Sequence, residues 1–166
     1  MRIACRILPI VLLCLVHALC AAADVAPRCL ERDPSDSVEY VAAKAKLSPK
    51  ELLARLVYAE ALSTGFGDDP LVHEAIAWGV MNRVRLAEHS ASSKRSYGSG
   101  IRGVVFKKGQ FNPAVSAKSP FSKDFLCPKE RALWRMALEA AGKAMAGGKN
   151  PFNQTPWEQE NGLSLV

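Results

Sequence analysis

The sequence has few of the residues and motifs that metal chemistry requires. Beyond residue 23 it contains only two histidines, His73 and His89, and it has neither a Cys-x-x-Cys nor a His-Glu-x-x-His motif. A zinc site therefore has little to build on. We expect no metal ion and no other cofactor.

The sequence also lacks any dense block of lysine and arginine. It has 22 Lys and Arg against 16 Asp and Glu, which gives a net charge of +6 and a pI of about 9.2. Nucleic-acid-binding tails carry concentrated basic blocks, so we expect no nucleic-acid partner, while another anionic polymer stays open. With 49% hydrophobic and 23% charged residues over 166 positions, the composition is that of one globular domain.

No segment is apolar over the roughly 20 residues that a membrane-spanning helix needs. The apolar run from Ile7 to Leu19 follows Arg2 and Arg6 and ends in small residues at 21–23. This pattern predicts a secretory signal peptide over residues 1–23. We therefore expect an exported protein of the periplasm or cell envelope without a stable membrane span; an uncleaved anchor is the alternative.

Cysteine usage agrees with export. Three of the five cysteines lie in the predicted signal, which leaves Cys29 and Cys127 as an even pair in an oxidising compartment. We expect them to form a disulfide, which in the chain-entropy model contributes roughly 4 to 5 kcal/mol. Two buried free thiols are the alternative.

Helix-start signals recur along the chain and predict a mainly α fold with little or no strand. Ser48 and Glu51 form a capping box around Pro49, Asp69 precedes Pro70, and a Gly-Gly pair at 147–148 marks a helix end. The third helix is apolar on nearly all sides, so we expect it to be the central one. The predicted helices are Asp33 to Leu47, Pro49 to Leu62, Pro70 to Leu86, and Pro128 to Gly147.

About forty residues between the third and fourth predicted helices show no clear periodicity. A structureless loop of that length is unusual unless it is functional, so we interpret it as candidate substrate-facing surface. Gly98, Gly100 and Gly103 have the spacing of a dinucleotide-binding loop, but no strand precedes them and no helix is evident after them. We interpret them as flexible loop glycines.

Glu60 is the sharpest local anomaly. On a helical wheel it falls within the apolar stripe of Leu53, Leu56 and Val57. Burial favours the neutral acid and raises its pKa, which is how a glutamic acid stays protonated and able to donate a proton. The alternative is a structural ion pair with Arg55, Arg83 or Arg85.

Asn82 is a second polar residue on an otherwise apolar helix. A buried amide must find hydrogen-bond partners, which Asn82 could find in the backbone, in Glu60 or in a polar substrate. Arg83 beside it is either an ion-pair partner or a surface charge.

Several segments together resemble the spore cortex-lytic (SleB-type) cell-wall hydrolases in order and spacing. The likeness covers roughly Leu52 to Pro151 and divides the chain into a signal peptide (1–23), an arm with the first helix (24–47), a SleB-type domain (48–151) and a short C-terminal tail (152–166). The segments that carry it are Ala54–Ala61 (ARLVYAEA), Ala75–Val84 (AIAWGVMNRV), Gly103–Phe106 (GVVF), Gln110-Phe111, Trp134, Ala137, Ala141 and Asn150-Pro151.

The resemblance implies a lysozyme-like helical domain that cleaves the glycan strands of peptidoglycan. The family's catalytic glutamate aligns with Glu60, and the implied chemistry is that of a lytic transglycosylase. Asn82, Gln110 and Phe111 are the expected substrate-binding or supporting residues. The chain departs from the family pattern at 62–65, in an apparent insertion over 88–99, at Asn112 and in its short tail.

Two other functions stay open at this stage. A non-catalytic peptidoglycan-binding or periplasmic interaction protein would keep the fold and bind glycan without turnover, and the short tail favours it. A cysteine amidase or peptidase would need a reactive thiol at Cys127 near a histidine.

Overall fold

The computed structural model describes residues 26–147 and 150–152. Within them the chain forms eight helices and no strand, which confirms the predicted mainly α fold. The predicted signal peptide and most of the predicted tail lie outside the described residues. The helices are α1 Val38–Lys44, α2 Pro49–Thr64, α3 Pro70–His89, α4 Ala91–Tyr97, α5 Gly100–Val105, α6 Asn112–Val115, α7 Ser122–Leu126 and α8 Arg131–Ala146.

Helix α2 begins where its capping chemistry predicts. The Ser48 side chain accepts a hydrogen bond from the Glu51 amide, Pro49 occupies the first turn, and Gly65 ends the helix in the left-handed conformation at φ 79°. Nine of its sixteen residues are buried. Helix α3, which we expected to be central, buries eight of its twenty residues and keeps Leu71 62% exposed at its start, so α2 is the more completely buried of the two.

Helices α3 and α8 pack against α2 and against each other. Helix α8 buries Trp134, Ala137 and Ala141. It begins at Arg131 rather than at the predicted Pro128, because the amides of Lys129 and Glu130 donate to the Tyr58 hydroxyl at 3.2 and 3.1 Å. A side chain of α2 therefore holds this segment outside the helix.

The first helix is shorter than predicted at both ends. Residues 33–36 form a turn in which the Asp36 amide donates to the Asp33 carbonyl, and Ser37 caps α1 instead. At the other end Lys46 takes a positive φ of 53°, so the helix stops at Lys44. Local hydrogen bonding thus overrides the Asp33-Pro34 start signal.

The region predicted as a long loop contains four short helices, α4 to α7. Its glycines are also not the flexible loop residues expected. A Cβ placed on Gly98, whose φ is 98°, would lie 2.1 Å from the Gly103 carbonyl oxygen. The backbone of Gly98 packs directly against that of Gly103 in α5, and only glycine at 98 permits this close approach.

Cys29 and Cys127 are joined in a disulfide, as predicted. The adjacent Leu30 amide donates to the Leu126 carbonyl at 2.9 Å, so the arm is tied to the end of α7 by both bonds. In the described part of the chain, every helix is too short or too polar to cross a bilayer.

Candidate active site

Glu60 lies where the buried stripe of α2 opens onto a cavity. Leu53, Leu56 and Val57 are fully buried on that stripe, and Glu60 beyond them is half-buried. The cavity has a volume of about 280 Å³ and is lined by Glu60, Thr64, Ile76, Gly79, Arg83, Gln110 and Phe111. The structure thus brings together three of the predicted residues: Glu60, Gln110 and Phe111.

Burial raises the pKa of the Glu60 carboxyl above its usual value. Hydrogen bonding from Ser63 and the positive charge of Arg83 act in the opposite direction. The Ser63 hydroxyl also donates to the Glu60 backbone carbonyl at 2.7 Å, which keeps Ser63 beside the carboxyl. The outcome is a carboxylic acid that favours its protonated form more than an exposed glutamate does.

Among the described residues no cation lies within the 4.0 Å of an ion pair from Glu60. Arg55 pairs with Glu51 instead, at 2.9 Å. Arg85 lies over the Trp78 ring, 5.1 Å from its centre. The structural ion pair that competed with the acid interpretation is therefore absent from the part of the chain described.

Arg83 faces Glu60 across the cavity without forming that pair. Its Nη1 donates to the Gly79 carbonyl at 2.9 Å, and its guanidinium lies 5.4 Å from the centre of the Phe111 ring. Burial lowers the pKa of Arg83, and the nearby Tyr97 and Glu60 act to raise it. Arg83 is a half-buried cation at the cavity wall, held by the backbone and an aromatic ring.

Gln110 has one satisfied end and one unsatisfied end. Its Nε2 donates to the Ser96 carbonyl at 3.3 Å, while its buried Oε1 has no partner among the described residues. Buried polar atoms without partners are rare in folded proteins. An acceptor of this kind at a cavity wall favours a ligand that supplies the missing donor.

Asn82, predicted as a substrate-binding or supporting residue, does not line this cavity. It is 1% exposed, its Oδ1 accepts a hydrogen bond from Arg85 at 3.5 Å, and its Nδ2 has no partner in the described residues. Residues of α3 advance about 100° per position, so Asn82 lies to one side of the helical face that contains Arg83. The cavity-facing row is Ile76, Gly79 and Arg83.

The sequence interpretation missed Ile76 and Gly79 of that row and Thr64 on α2, and it considered Arg83 only as an ion-pair partner or a surface charge. Positions 76, 79 and 83 have the spacing of one helical face, which is a signal that could have identified them. The closeness of Tyr97 to Arg83 gave no such signal, since it depends on how α4 folds back toward α3.

The described residues contain no group of three or more His, Cys, Asp or Glu side chains placed to hold a metal ion. Comparison of the chain with protein-family models, with curated proteins and with solved structures found no match.

Proposed function

We propose that this protein is an exported enzyme that cleaves the glycan strands of peptidoglycan, with Glu60 as its single general acid and base. The observation that carries the proposal is the position of Glu60: a half-buried carboxyl with a raised pKa, without an ion-pair partner in the described residues, at the wall of a cavity. Carboxyl groups of this kind are typical of proton donors in active sites. The resemblance to SleB-type hydrolases supports the same residue.

The reaction proposed is that of a lytic transglycosylase. Protonated Glu60 donates its proton to the glycosidic oxygen that follows N-acetylmuramic acid. The bond between that oxygen and C1 of the N-acetylmuramic acid then breaks. The Glu60 carboxylate then takes the proton of the same sugar's C6 hydroxyl, whose oxygen closes a 1,6-anhydro ring. The enzyme ends protonated, as it began.

The composition of the cavity favours this route over ordinary hydrolysis. Glycoside hydrolases use two carboxyl groups about 5 to 9.5 Å apart. Glu60 is the one carboxylic acid among the seven residues that line this cavity. Arg83 supports the first step, because its positive charge stabilises the carboxylate that forms once the proton has left.

The cavity is at the small end of the ~300–1,000 Å³ usual for ligand sites. We expect it to hold the sugar at the scissile bond, while the rest of the strand lies on the surface. The unpartnered Gln110 oxygen would accept a hydrogen bond from a hydroxyl or amide of that sugar.

Digestion of purified peptidoglycan, with the soluble products identified by mass spectrometry, tests the proposal. We expect 1,6-anhydro-muropeptides from the wild type and a loss of about 10² to 10⁴ in rate for Glu60→Gln. Glu139→Gln is the matched control, because Glu139 is an exposed helical glutamate on α8. It should retain full activity.

The remaining outcomes separate the alternatives. Reducing ends without anhydro products would indicate a hydrolase. Binding to peptidoglycan with no product from any variant would indicate the non-catalytic binding protein. The cysteine-nucleophile alternative lacks its thiol, since Cys127 is bonded to Cys29.

A further inference from the structure

The net charge of the protein is concentrated in one segment. Residues 83–108 contain seven lysines and arginines and one acidic residue, Glu88. The excess of basic over acidic residues in this segment equals the net charge of +6 of the whole chain. The rest of the sequence therefore has as many acidic as basic residues. We call this segment, from the end of α3 through α4 and α5, the basic lobe.

Internal hydrogen bonds hold the basic lobe together. Lys107 Nζ donates to the Arg95 carbonyl at 2.5 Å. In addition, the backbone of Gly98, which follows α4, packs closely against that of Gly103 in α5. Its cations Lys94, Arg95 and Lys108 are exposed. The charges therefore lie on an ordered surface.

The basic lobe adjoins the cavity. Arg83 belongs to both, and Gln110, which lines the cavity, donates to the Ser96 carbonyl of α4. Tyr97 of α4 lies close enough to Arg83 to affect its pKa. A polymer that leaves the cavity on this side would meet the exposed cations next.

We propose that the basic lobe is the docking surface for the carboxylate-bearing stem peptides of the same peptidoglycan strand that enters the cavity. This inference rests on the proposed function. Charge complementarity selects the occupant, since carboxylates on a strand seated at Glu60 would lie beside the segment whose excess of positive charge equals that of the whole chain. The apparent insertion over residues 88–99 falls within this surface, so it would add strand binding to the site without altering Glu60.

Sedimentation with insoluble peptidoglycan tests this docking surface. A triple variant, Lys94→Gln with Arg95→Gln and Lys108→Gln, removes three exposed charges from the basic lobe. The matched control, Lys118→Gln with Lys123→Gln and Lys129→Gln, removes three exposed charges elsewhere. All proteins carry Glu60→Gln, so that binding is measured without turnover, and circular dichroism verifies that each is folded.

At about 50 mM salt we expect the basic-lobe triple to bind about tenfold more weakly than its parent, and the control triple less than about twofold more weakly. The difference should disappear near 0.5 M salt. It should also disappear on peptidoglycan whose carboxyls have been converted to amides with carbodiimide and ammonia.

The inference would be overturned if the two triple variants lost equal amounts of peptidoglycan binding. It would also be overturned if the parent protein bound amidated and untreated peptidoglycan equally well. Tighter lobe-dependent binding to double-stranded DNA than to peptidoglycan would also overturn it, since the surface would then be one for nucleic acid. Cleavage of peptidoglycan is scored separately with Glu60 intact. Cleavage without the expected binding pattern defeats only the docking surface, and the binding pattern without cleavage defeats only the proposed enzyme activity.

Discussion

Arg55 and Glu60 are ionisable residues little more than one turn apart on α2, and their surroundings differ. Arg55 is 0% exposed, and all three of its nitrogens donate hydrogen bonds. The acceptors are the Glu51 carboxylate and the backbone carbonyls of Arg28, Phe125 and Leu126. Glu60 is half-buried, without an ion pair among the described residues, and faces a cavity that Gln110 also lines.

The difference separates structural burial from burial that serves a site. A buried charge with every donor satisfied holds elements together, and Arg55 joins α2 to the arm and to the end of α7. A buried acid with an open cavity beside it costs stability and leaves its proton available. Sequence alone does not distinguish the two residues, since both lie among apolar neighbours of the same helix.

The largest effect on stability is expected from Arg55→Met. The change leaves Glu51 and three carbonyls without their donor, so we expect a loss of about 3–5 kcal/mol in the free energy of unfolding. Urea unfolding measures it. A loss below about 1 kcal/mol would show that Arg55 is not the structural member of the pair.

The disulfide has the same structural role as Arg55, because both connect the arm to the end of α7. Cys29→Ser with Cys127→Ser should cost about 2–5 kcal/mol. Combined with Arg55→Met, the loss should be smaller than the sum, since each change frees the same segments. Simple additivity in the double-mutant cycle would contradict this shared role.

Glu60 should give a smaller effect that depends on pH. Because burial raises its pKa in the folded protein, the folded state binds the proton more tightly, and the stability this contributes is lost as pH rises from the usual value of about 4.3 through the raised pKa. Glu60→Gln cannot titrate. The unfolding free energy of the wild type minus that of Glu60→Gln should therefore fall as pH rises through this window, and a flat or rising difference would contradict the assignment.

Gln110→Leu should change stability least. It removes one long hydrogen bond to Ser96, but it also removes a buried acceptor without a partner, so we expect a net change within about 1 kcal/mol. Peptidoglycan cleavage should nevertheless fall. A large loss of stability with normal cleavage would place Gln110 with Arg55 as a structural residue.

What the sequence predicted correctly depends on local chemistry. The start of α2 follows from Ser48, Pro49 and Glu51, and the half-buried position of Glu60 follows from the helical repeat. The pairing of Cys29 with Cys127 follows from the number of cysteines outside the predicted signal peptide.

What the sequence did not predict depends on contacts between distant residues. The Tyr58 hydroxyl keeps Lys129 and Glu130 out of α8, and Gly98 packs against Gly103 of α5 in a region where a loop was expected. Asn82 is polar and buried, as its pattern indicated. However, Asn82 lies outside the face of α3 that lines the cavity. The apolar pattern of α3 does not show which of its faces lies toward Glu60 on α2.

A carboxyl-carbon NMR titration of Glu60, assigned by comparison with Glu60→Gln, measures the pKa on which the proposed activity depends. It needs no substrate, and it reports the protonation of the side chain to which the proposed chemistry is assigned. Because burial raises the pKa of Glu60, we expect a midpoint above the usual glutamate value of about 4.3. A midpoint at or below that value would mean that the carboxylate is solvated or paired, and it would contradict the assignment of Glu60 as the proton donor.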